Sequence, residues 1–103
     1  MTDSNWVPMT PGVQRRIRED GEQLMLVEVH FETGAAVPEH FHVHEQISLV
    51  VSGRMMFNVN GQETELGSGD SLRLPSNVPQ SARALEASVV FDSFSPPRED
   101  FRK

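Results

Sequence analysis

Residues 34–53 read GAAVPEHFHVHEQISLVVSG, and this stretch decides the fold. It begins and ends on a glycine, and three of the four histidines of the chain (His40, His42 and His44) lie close together near its centre. Residues 46–52 then alternate, with Ile47, Leu49 and Val51 on one side and polar or smaller side chains on the other. An alternation of period two is typical of a β-strand with two different faces. The stretch therefore predicts a strand that is entered from a histidine-rich turn.

The rest of the chain repeats this pattern of short apolar segments between prolines and glycines. Residues 25–31 alternate cleanly, and Asn60-Gly61 is a strong hairpin signal. A first strand is predicted over residues 13–18 and a bend over residues 34–38. No segment keeps the 3.6-residue period of an amphipathic helix for long. These features predict an all-β fold of about 8–10 short strands, closed as a barrel or sandwich.

Length and composition restrict the classes of function. The chain has 103 residues, which suits one domain, and we divide it into an N-terminal arm (1–12) and a barrel with a C-terminal tail (13–103). Its 9 basic and 15 acidic residues give a net charge of −6, which argues against nucleic acid as a partner. It has no cysteine and no apolar run that would span a membrane. The start of the chain has no basic, apolar signal pattern, so we expect a cytoplasmic protein.

The clustered histidines suggest a metal site. Side chains two residues apart on a strand share a face, so His40 and His42 are predicted to converge on one ion. Gln46 follows at the start of the next strand. We expect His44, at the tip between the strands, and His30, on another strand, to face solvent. The competing interpretation of the cluster is a histidine-rich surface turn without an ion.

The spacing around these residues resembles that of the cupin family. Its first motif is matched by Gly34, five residues, His40-Phe41-His42, three residues, Gln46, six residues and Gly53. Its second motif is matched by Gly69, five residues, Pro75-Ser76-Asn77, two residues and Gln80. Asn77 replaces a glycine of the motif, which is acceptable because asparagine tolerates a left-handed backbone. The resemblance implies the cupin double-stranded β-helix, a jelly-roll barrel.

The resemblance also implies one divalent transition metal (Zn, Ni, Mn, Fe or Cu) on the ligands His40, His42, Gln46 and Gln80. Gln46 stands where the family has an acidic residue, and Gln80 where it has a third histidine. Without a carboxylate ligand the ion would keep its full charge, which suits a Lewis acid that attracts an anionic substrate better than it suits oxygen activation. Two alternatives are that Gln80 lines the cavity without binding the ion, and that the site has lost its metal.

The C-terminal segment VFDSFSPPREDF (residues 90–101) is similar to that of the KdgF-type pectin-degradation cupins. That group promotes ring opening of 4,5-unsaturated monouronates to linear keto sugars. The resemblance implies Asp92, Phe94 and Arg98 as catalytic residues. In chemical terms, Asp92 is suited to moving a proton, Arg98 to binding a carboxylate and Phe94 to forming a pocket wall. The alternative is purely structural: Asp92 accepts backbone hydrogen bonds and pairs with Arg98.

Three functions follow as hypotheses. The first is non-redox, metal-assisted ring opening or ketonisation of an unsaturated sugar acid, with a small anionic molecule such as a uronate as the partner. The second is a non-catalytic cupin that binds or senses a small ligand, and the third is a metal-dependent dioxygenase. The resemblance further implies a homodimer, for which the face of Ile47, Leu49 and Val51 is the candidate contact. The competing explanation is that this face packs inside the monomer.

Overall fold

A computed structural model describes residues 5–102 as an almost purely β structure. Its one helical element within this range is a 3-10 turn at Glu99–Phe101. The strands, in chain order, are β1 Val7–Pro8, β2 Val13–Asp20, β3 Met25–Phe31, β4 Ala36–His40, β5 Glu45–Ser52, β6 Arg54–Val59, β7 Gln62–Gly67, β8 Ser71–Leu74, β9 Gln80–Ala84 and β10 Ser88–Ser95. The prediction of an all-β fold with about 8–10 short strands is confirmed.

The strands form two antiparallel sheets. One has six strands in the order β1-β2-β3-β10-β5-β8, and the other has four in the order β4-β9-β6-β7. The last strand, β10, therefore lies in the middle of the larger sheet, between β3 and β5. Its register places Asp92 beside Ser48 of β5 on one side and Val27 of β3 on the other. This topology brings the C-terminal residues next to the histidine-rich stretch.

The core lies between the sheets and follows the alternation predicted for residues 25–31. Met25, Val27 and Val29 point inward and are at most 3% exposed. Met55 and Phe57 of β6 face them from the smaller sheet and are buried to the same degree. Removing apolar side chains such as these from water is the main source of stability in a domain of this size.

Turn geometry agrees with the sequence at two positions. Asn60 and Gly61 both have positive φ, 53° and 88°, as a two-residue hairpin between β6 and β7 requires. Asn77 also has a left-handed φ of 62°. This is the position at which asparagine replaces the glycine of the motif.

Two predicted boundaries are wrong. Residues 34–38 do not form a bend throughout, because β4 starts at Ala36 and includes Pro38. Pro38 is tolerated because β4 is an edge strand, and its pairing with β9 is irregular between Val37 and His40. The first long strand, β2, also continues past Arg18 to Asp20, where it still pairs with β3.

The outer face of the larger sheet holds a buried ionic cluster. Glu28 is only 7% exposed, although it points away from the core. Its carboxylate binds Arg16 at 3.0 Å, Arg18 at 2.8 Å and His30 at 2.6 Å. Burial alone would raise the pKa of Glu28, but the hydrogen bonds from His30, Arg16 and Arg18 outweigh it and lower the pKa. His30 is therefore a partner in this cluster and not simply an exposed side chain.

The same outer face carries an apolar stripe on β5. Ile47, Leu49 and Val51 are 49%, 41% and 46% exposed, so the explanation that they pack within the monomer is wrong. Near the start of the chain, the ring of Trp6 lies 4.4 Å from that of His30, centroid to centroid. The short strand β1 pairs with β2, and the division of the chain into an arm and a barrel stays a prediction. Within residues 5–102 no helix has the length and apolarity to cross a membrane.

Candidate metal and substrate site

A cavity of about 160 Å³ lies between the two sheets. The smaller sheet contributes His40 from the end of β4 and Gln80 from the start of β9. The larger sheet contributes Gln46 from β5 and Asp92 and Phe94 from β10, and Arg98 enters from the C-terminal tail. The fold thus brings six of the seven residues singled out from the sequence to one cavity. Nε2 of the seventh, His42, lies within hydrogen-bond distance of Gln46 and Gln80.

The two histidines converge by a route that differs from the prediction. His40 is the last residue of β4, but His42 lies in the loop that follows, so they do not share a strand face. Their ring centroids are nevertheless 5.6 Å apart. Nδ1 of His40 donates to the carbonyl oxygen of Pro38 at 2.9 Å, and Nδ1 of His42 donates to that of His44 at 3.0 Å. Because a carbonyl only accepts, each Nδ1 carries a proton, and Nε2 of a neutral ring presents a lone pair.

Both glutamines are buried beside His42. Oε1 of Gln46 lies 3.1 Å from Nε2 of His42, and Gln46 is only 6% exposed. Gln80 is paired in register with His40 and is 5% exposed. Its amide nitrogen, not its oxygen, lies 3.3 Å from Nε2 of His42. Gln80 would have to turn its amide over to present oxygen to an ion at this position.

These donors fit a divalent transition metal. Two imidazole Nε2 atoms and the amide oxygen of Gln46 supply the nitrogen and oxygen donors that such ions accept, and the backbone carbonyls hold the rings as ligand histidines are usually held. Burial, aided by the charge of Arg98, lowers the pKa of His42, so its ring is neutral at pH 7. Within residues 5–102 no group of three or more His, Cys, Asp or Glu side chains has metal-binding geometry. An ion at this position would therefore need a donor of another kind, such as the amide oxygen of Gln46.

Asp92 lines the cavity from β10, which pairs with β5 in the same sheet as Gln46. Its Oδ1 accepts a hydrogen bond of 2.6 Å from the hydroxyl of Ser48. Burial raises the pKa of Asp92 to about 6, against the opposing effects of Ser48, Gln46 and the positive charge of Arg98. A carboxyl group with such a pKa is able both to accept and to release a proton near neutral pH.

Arg98 does not pair with Asp92, so this part of the structural alternative is wrong. Its Nε and Nη2 bind the two carboxylate oxygens of Asp100 at 3.1 and 2.9 Å. The guanidinium carbon lies 5.0 Å from the ring centroid of Phe94 and 4.2 Å from that of Phe101. Two aromatic rings and a bidentate partner thus hold a cationic side chain that is only 13% exposed.

His44 differs from its prediction. It is half-buried and does not face solvent, because its ring packs edge-on against Phe94 and His42. Burial, followed by the charge of Arg98, lowers the pKa of His44. Its backbone carbonyl has a defined task, since it accepts the Nδ1 proton of His42.

Sequence reasoning missed Ser48. This residue is fully inaccessible to solvent, and its hydroxyl lies between Gln46 and Asp92. The available signal was the position of this serine on the same strand face as Gln46 and Val50. That face has to be buried if Ile47, Leu49 and Val51 are outside. Its partner Asp92 is 44 residues away in the chain, so only the register of β5 with β10 identifies the contact.

Comparisons with known proteins agree with this architecture. The model of the cupin domain family matches residues 27–91. The pectin degradation protein KdgF of Dickeya dadantii (strain 3937) is 35% identical over 101 residues, which cover 96% of this chain and 92% of that protein.

Two solved structures are similarly close. KdgF from Halomonas sp. superimposes with a TM-score of 0.89 and 39% identity, over 93% of this chain and 89% of that one. An RmlC-like cupin from Shewanella frigidimarina NCIMB 400 has a TM-score of 0.89 and 35% identity, over 94% of this chain and 87% of that one. The chain is therefore a member of the cupin family and a relative of the KdgF pectin degradation proteins.

Proposed function

We propose that this cupin promotes the opening of a 4,5-unsaturated monouronate ring to a linear keto sugar, with one divalent metal at His40, His42 and Gln46. One observation carries the proposal: the carboxyl of Asp92, the guanidinium of Arg98 and the imidazole of His40 reach the same cavity. The relative named pectin degradation protein KdgF supports a sugar-acid substrate. Gln80 completes the set of ligands only if its amide turns over.

The size and charge of the cavity support a small anionic ligand. Its volume of about 160 Å³ is below that of pockets for drug-sized molecules, roughly 300–1,000 Å³. Asp100 binds Nε and Nη2 of Arg98, so among the described residues Nη1 is the nitrogen left for a substrate carboxylate. A guanidinium is suited to this task because it is always charged and its donors have a fixed geometry.

The reaction is an isomerisation and needs no oxidant or reductant. Asp92 accepts the proton of the anomeric hydroxyl while the bond between C1 and the ring oxygen breaks. The ring oxygen is left on C5 as an enolate, which becomes a ketone when Asp92 returns the proton to C4. Phe94 forms an apolar wall that limits water around these atoms. A metal held by His40, His42 and Gln46 would supply Lewis-acid polarisation of substrate oxygens.

The test is the loss of ultraviolet absorbance of an unsaturated monouronate when the metal-loaded protein is added. We expect Asp92→Asn to lower the rate by about 10²–10⁴-fold while zinc still binds, because general acid–base catalysis contributes on that scale. Glu63→Gln, an exposed position on β7, is the matched control and should keep the wild-type rate. No acceleration by the metal-loaded wild type would reject the proposal.

One observation favours a second function, ligand binding without turnover. Gln80 faces His42 with its amide nitrogen, which weakens the case for a fourth ligand. A binding cupin would keep a uronate in the cavity through Arg98 without changing it. Calorimetric binding of the unsaturated uronate with no loss of its absorbance would support this second function over the first.

We also propose that the partner on the outer face of the larger sheet is a second copy of the chain. The apolar stripe of Ile47, Leu49 and Val51 lies on β5, next to the edge strand β8, and points away from the cavity. A contact there would leave the cavity open in both copies. A patch of this kind on one sheet face suits the self-complementary interface of a twofold dimer.

A further inference from the structure

The interior of the barrel contains a hydroxyl group that the proposed reaction does not use. Ser48 is completely buried on the inward face of β5, between strands β8 and β10. A buried hydroxyl is unfavourable unless hydrogen bonds compensate for the lost water, so its partners define its role. Those partners are the amide nitrogen of Gln46 at 3.0 Å and Oδ1 of Asp92 at 2.6 Å.

The direction of these hydrogen bonds is fixed by the number of protons. A serine hydroxyl has one proton, and it donates this proton to Asp92. Towards Gln46 the oxygen of Ser48 is left as an acceptor, so the amide of Gln46 must present its NH₂ group. The amide oxygen is therefore the atom that faces Nε2 of His42, at 3.1 Å.

This orientation puts two acceptors face to face. Nε2 of His42 has a lone pair, because its Nδ1 holds the proton that is donated to His44. If the amide of Gln46 were reversed, its nitrogen would donate to this lone pair, which would be the better arrangement for these two side chains alone. In the structure the amide nitrogen of Gln80 faces this lone pair instead, and the oxygen of Gln46 is held in an orientation that could ligate a cation.

We propose that Ser48 is a positioning residue, which uses its hydrogen bond to Asp92 to hold the amide oxygen of Gln46 towards the metal. The proposal rests on the proposed function, because the metal is part of that function. The orientation of the Gln46 amide is present in the structure without a metal. The same hydrogen bonds account for an amide at position 46. A carboxylate there would place an acceptor against the oxygen of Ser48, whose only proton is donated to Asp92. The metal side and the acid–base side of the cavity are thereby joined through the hydroxyl of Ser48, beside the direct effect of Gln46 on Asp92.

The first test needs no metal and no variant. In NMR spectra of the metal-free wild-type protein, the side-chain NH₂ protons of Gln46 should show nuclear Overhauser contacts to the β protons of Ser48. At least one of them should exchange slowly with water. Contacts to the ring protons of His42 in their place would mean the reversed amide and would overturn the proposal.

The second test measures zinc binding by calorimetry on the metal-stripped, full-length protein. We expect Ser48→Ala to weaken Zn²⁺ binding by about 10–100-fold, the usual effect of losing a residue that orients a metal ligand. Ser88→Ala is the matched control, since Ser88 is also a buried serine but binds Arg54 and Glu86. It should destabilise the protein without changing zinc affinity.

The outcomes separate the two proposals. Zinc affinity of Ser48→Ala within twofold of wild type would overturn the role of Ser48. If Ser48→Ala does not fold, Ser48→Thr is used in its place. This variant keeps the hydroxyl and should therefore keep the contacts to Gln46. Wild-type protein that binds no zinc but shows the Gln46 contacts to Ser48 would contradict the proposed function and leave the positioning of Gln46 established.

Discussion

The amide nitrogen of Gln80 lies 3.3 Å from Nε2 of His42. An amide that donates to an imidazole lone pair competes with an ion for that lone pair. Gln80 therefore stabilises the metal-free state in the conformation of the structure, and it ligates an ion only after its amide has turned over. We therefore expect the affinity of the proposed metal site to depend on position 80.

Replacing Gln80 by histidine should strengthen metal binding. The residue is buried and paired in register with His40, so a third imidazole would start from the same cavity wall as the first. We expect Gln80→His to raise the affinity for Zn²⁺ at least tenfold in calorimetry, because imidazole nitrogen is a better zinc ligand than a neutral amide. Gln62→His, on the exposed hairpin, should have no effect. Equal affinities for Gln80→His and wild type would place Gln80 outside the metal site.

Arg98→Lys should weaken substrate binding even though the charge is kept. A lysine cannot stack between Phe94 and Phe101 or offer several fixed donors to Asp100 and a ligand. We expect KM for the unsaturated uronate to rise about tenfold or more, which corresponds to the roughly 1.5–3 kcal/mol of a hydrogen bond to a charged group. Arg73→Lys, on the outer face and paired with Glu45, is the control. If both variants keep the wild-type KM, Arg98 does not bind the substrate.

The cluster around Glu28 should make stability depend on pH. Its pKa in the folded protein is lowered, so the ionised group stabilises the fold at pH above the ordinary value of 4.5. This stabilisation is lost as the pH falls from 4.5 through the lowered folded pKa. We expect Glu28→Gln to reduce the free energy of unfolding by about 1–3 kcal/mol at pH 7, in urea titrations followed by circular dichroism.

The difference between wild type and Glu28→Gln should then shrink below pH 4.5, where the wild-type carboxylate begins to take up protons. Glu63→Gln, at an exposed position, should change stability by much less at either pH. A difference for Glu28→Gln that is the same at pH 7 and at pH 3 would show that the charge of Glu28 does not stabilise the fold.

A charge on the apolar stripe should prevent dimerisation. Leu49 is 41% exposed in the middle of β5, so Leu49→Glu should leave the fold unchanged. In a contact between two copies the new carboxylate would lose its water, which is unfavourable. Light scattering coupled to size-exclusion chromatography should give a dimer for wild type and a monomer for the variant. Leu85→Glu, in the loop before β10, is the control, and its mass should equal that of wild type. A monomeric wild type would contradict the dimer.

The fold was largely predictable because its signals are local. Alternation over residues 25–31 and 46–52 assigns inner and outer faces, and Asn60-Gly61 specifies a tight hairpin. Pro38 was misleading for a physical reason. A proline usually ends a strand, but at an edge strand its missing N–H costs no hydrogen bond of the sheet.

By itself, the sequence determined the residue types of the site and their distribution between the two motifs and the tail. Periodicity and spacing act within a few residues, so they identify His40 and His42 as a pair. Gln46 and Asp92 join the set only through the resemblance to a known family. Tertiary structure alone decided which atom of each residue faces which neighbour. The insertion of β10 beside β5 places Asp92 against Ser48, and that hydroxyl, 44 residues away in the chain, orients Gln46. The direction of a hydrogen bond depends on both partners, and long-range partners meet only when strands from distant parts of the chain pair.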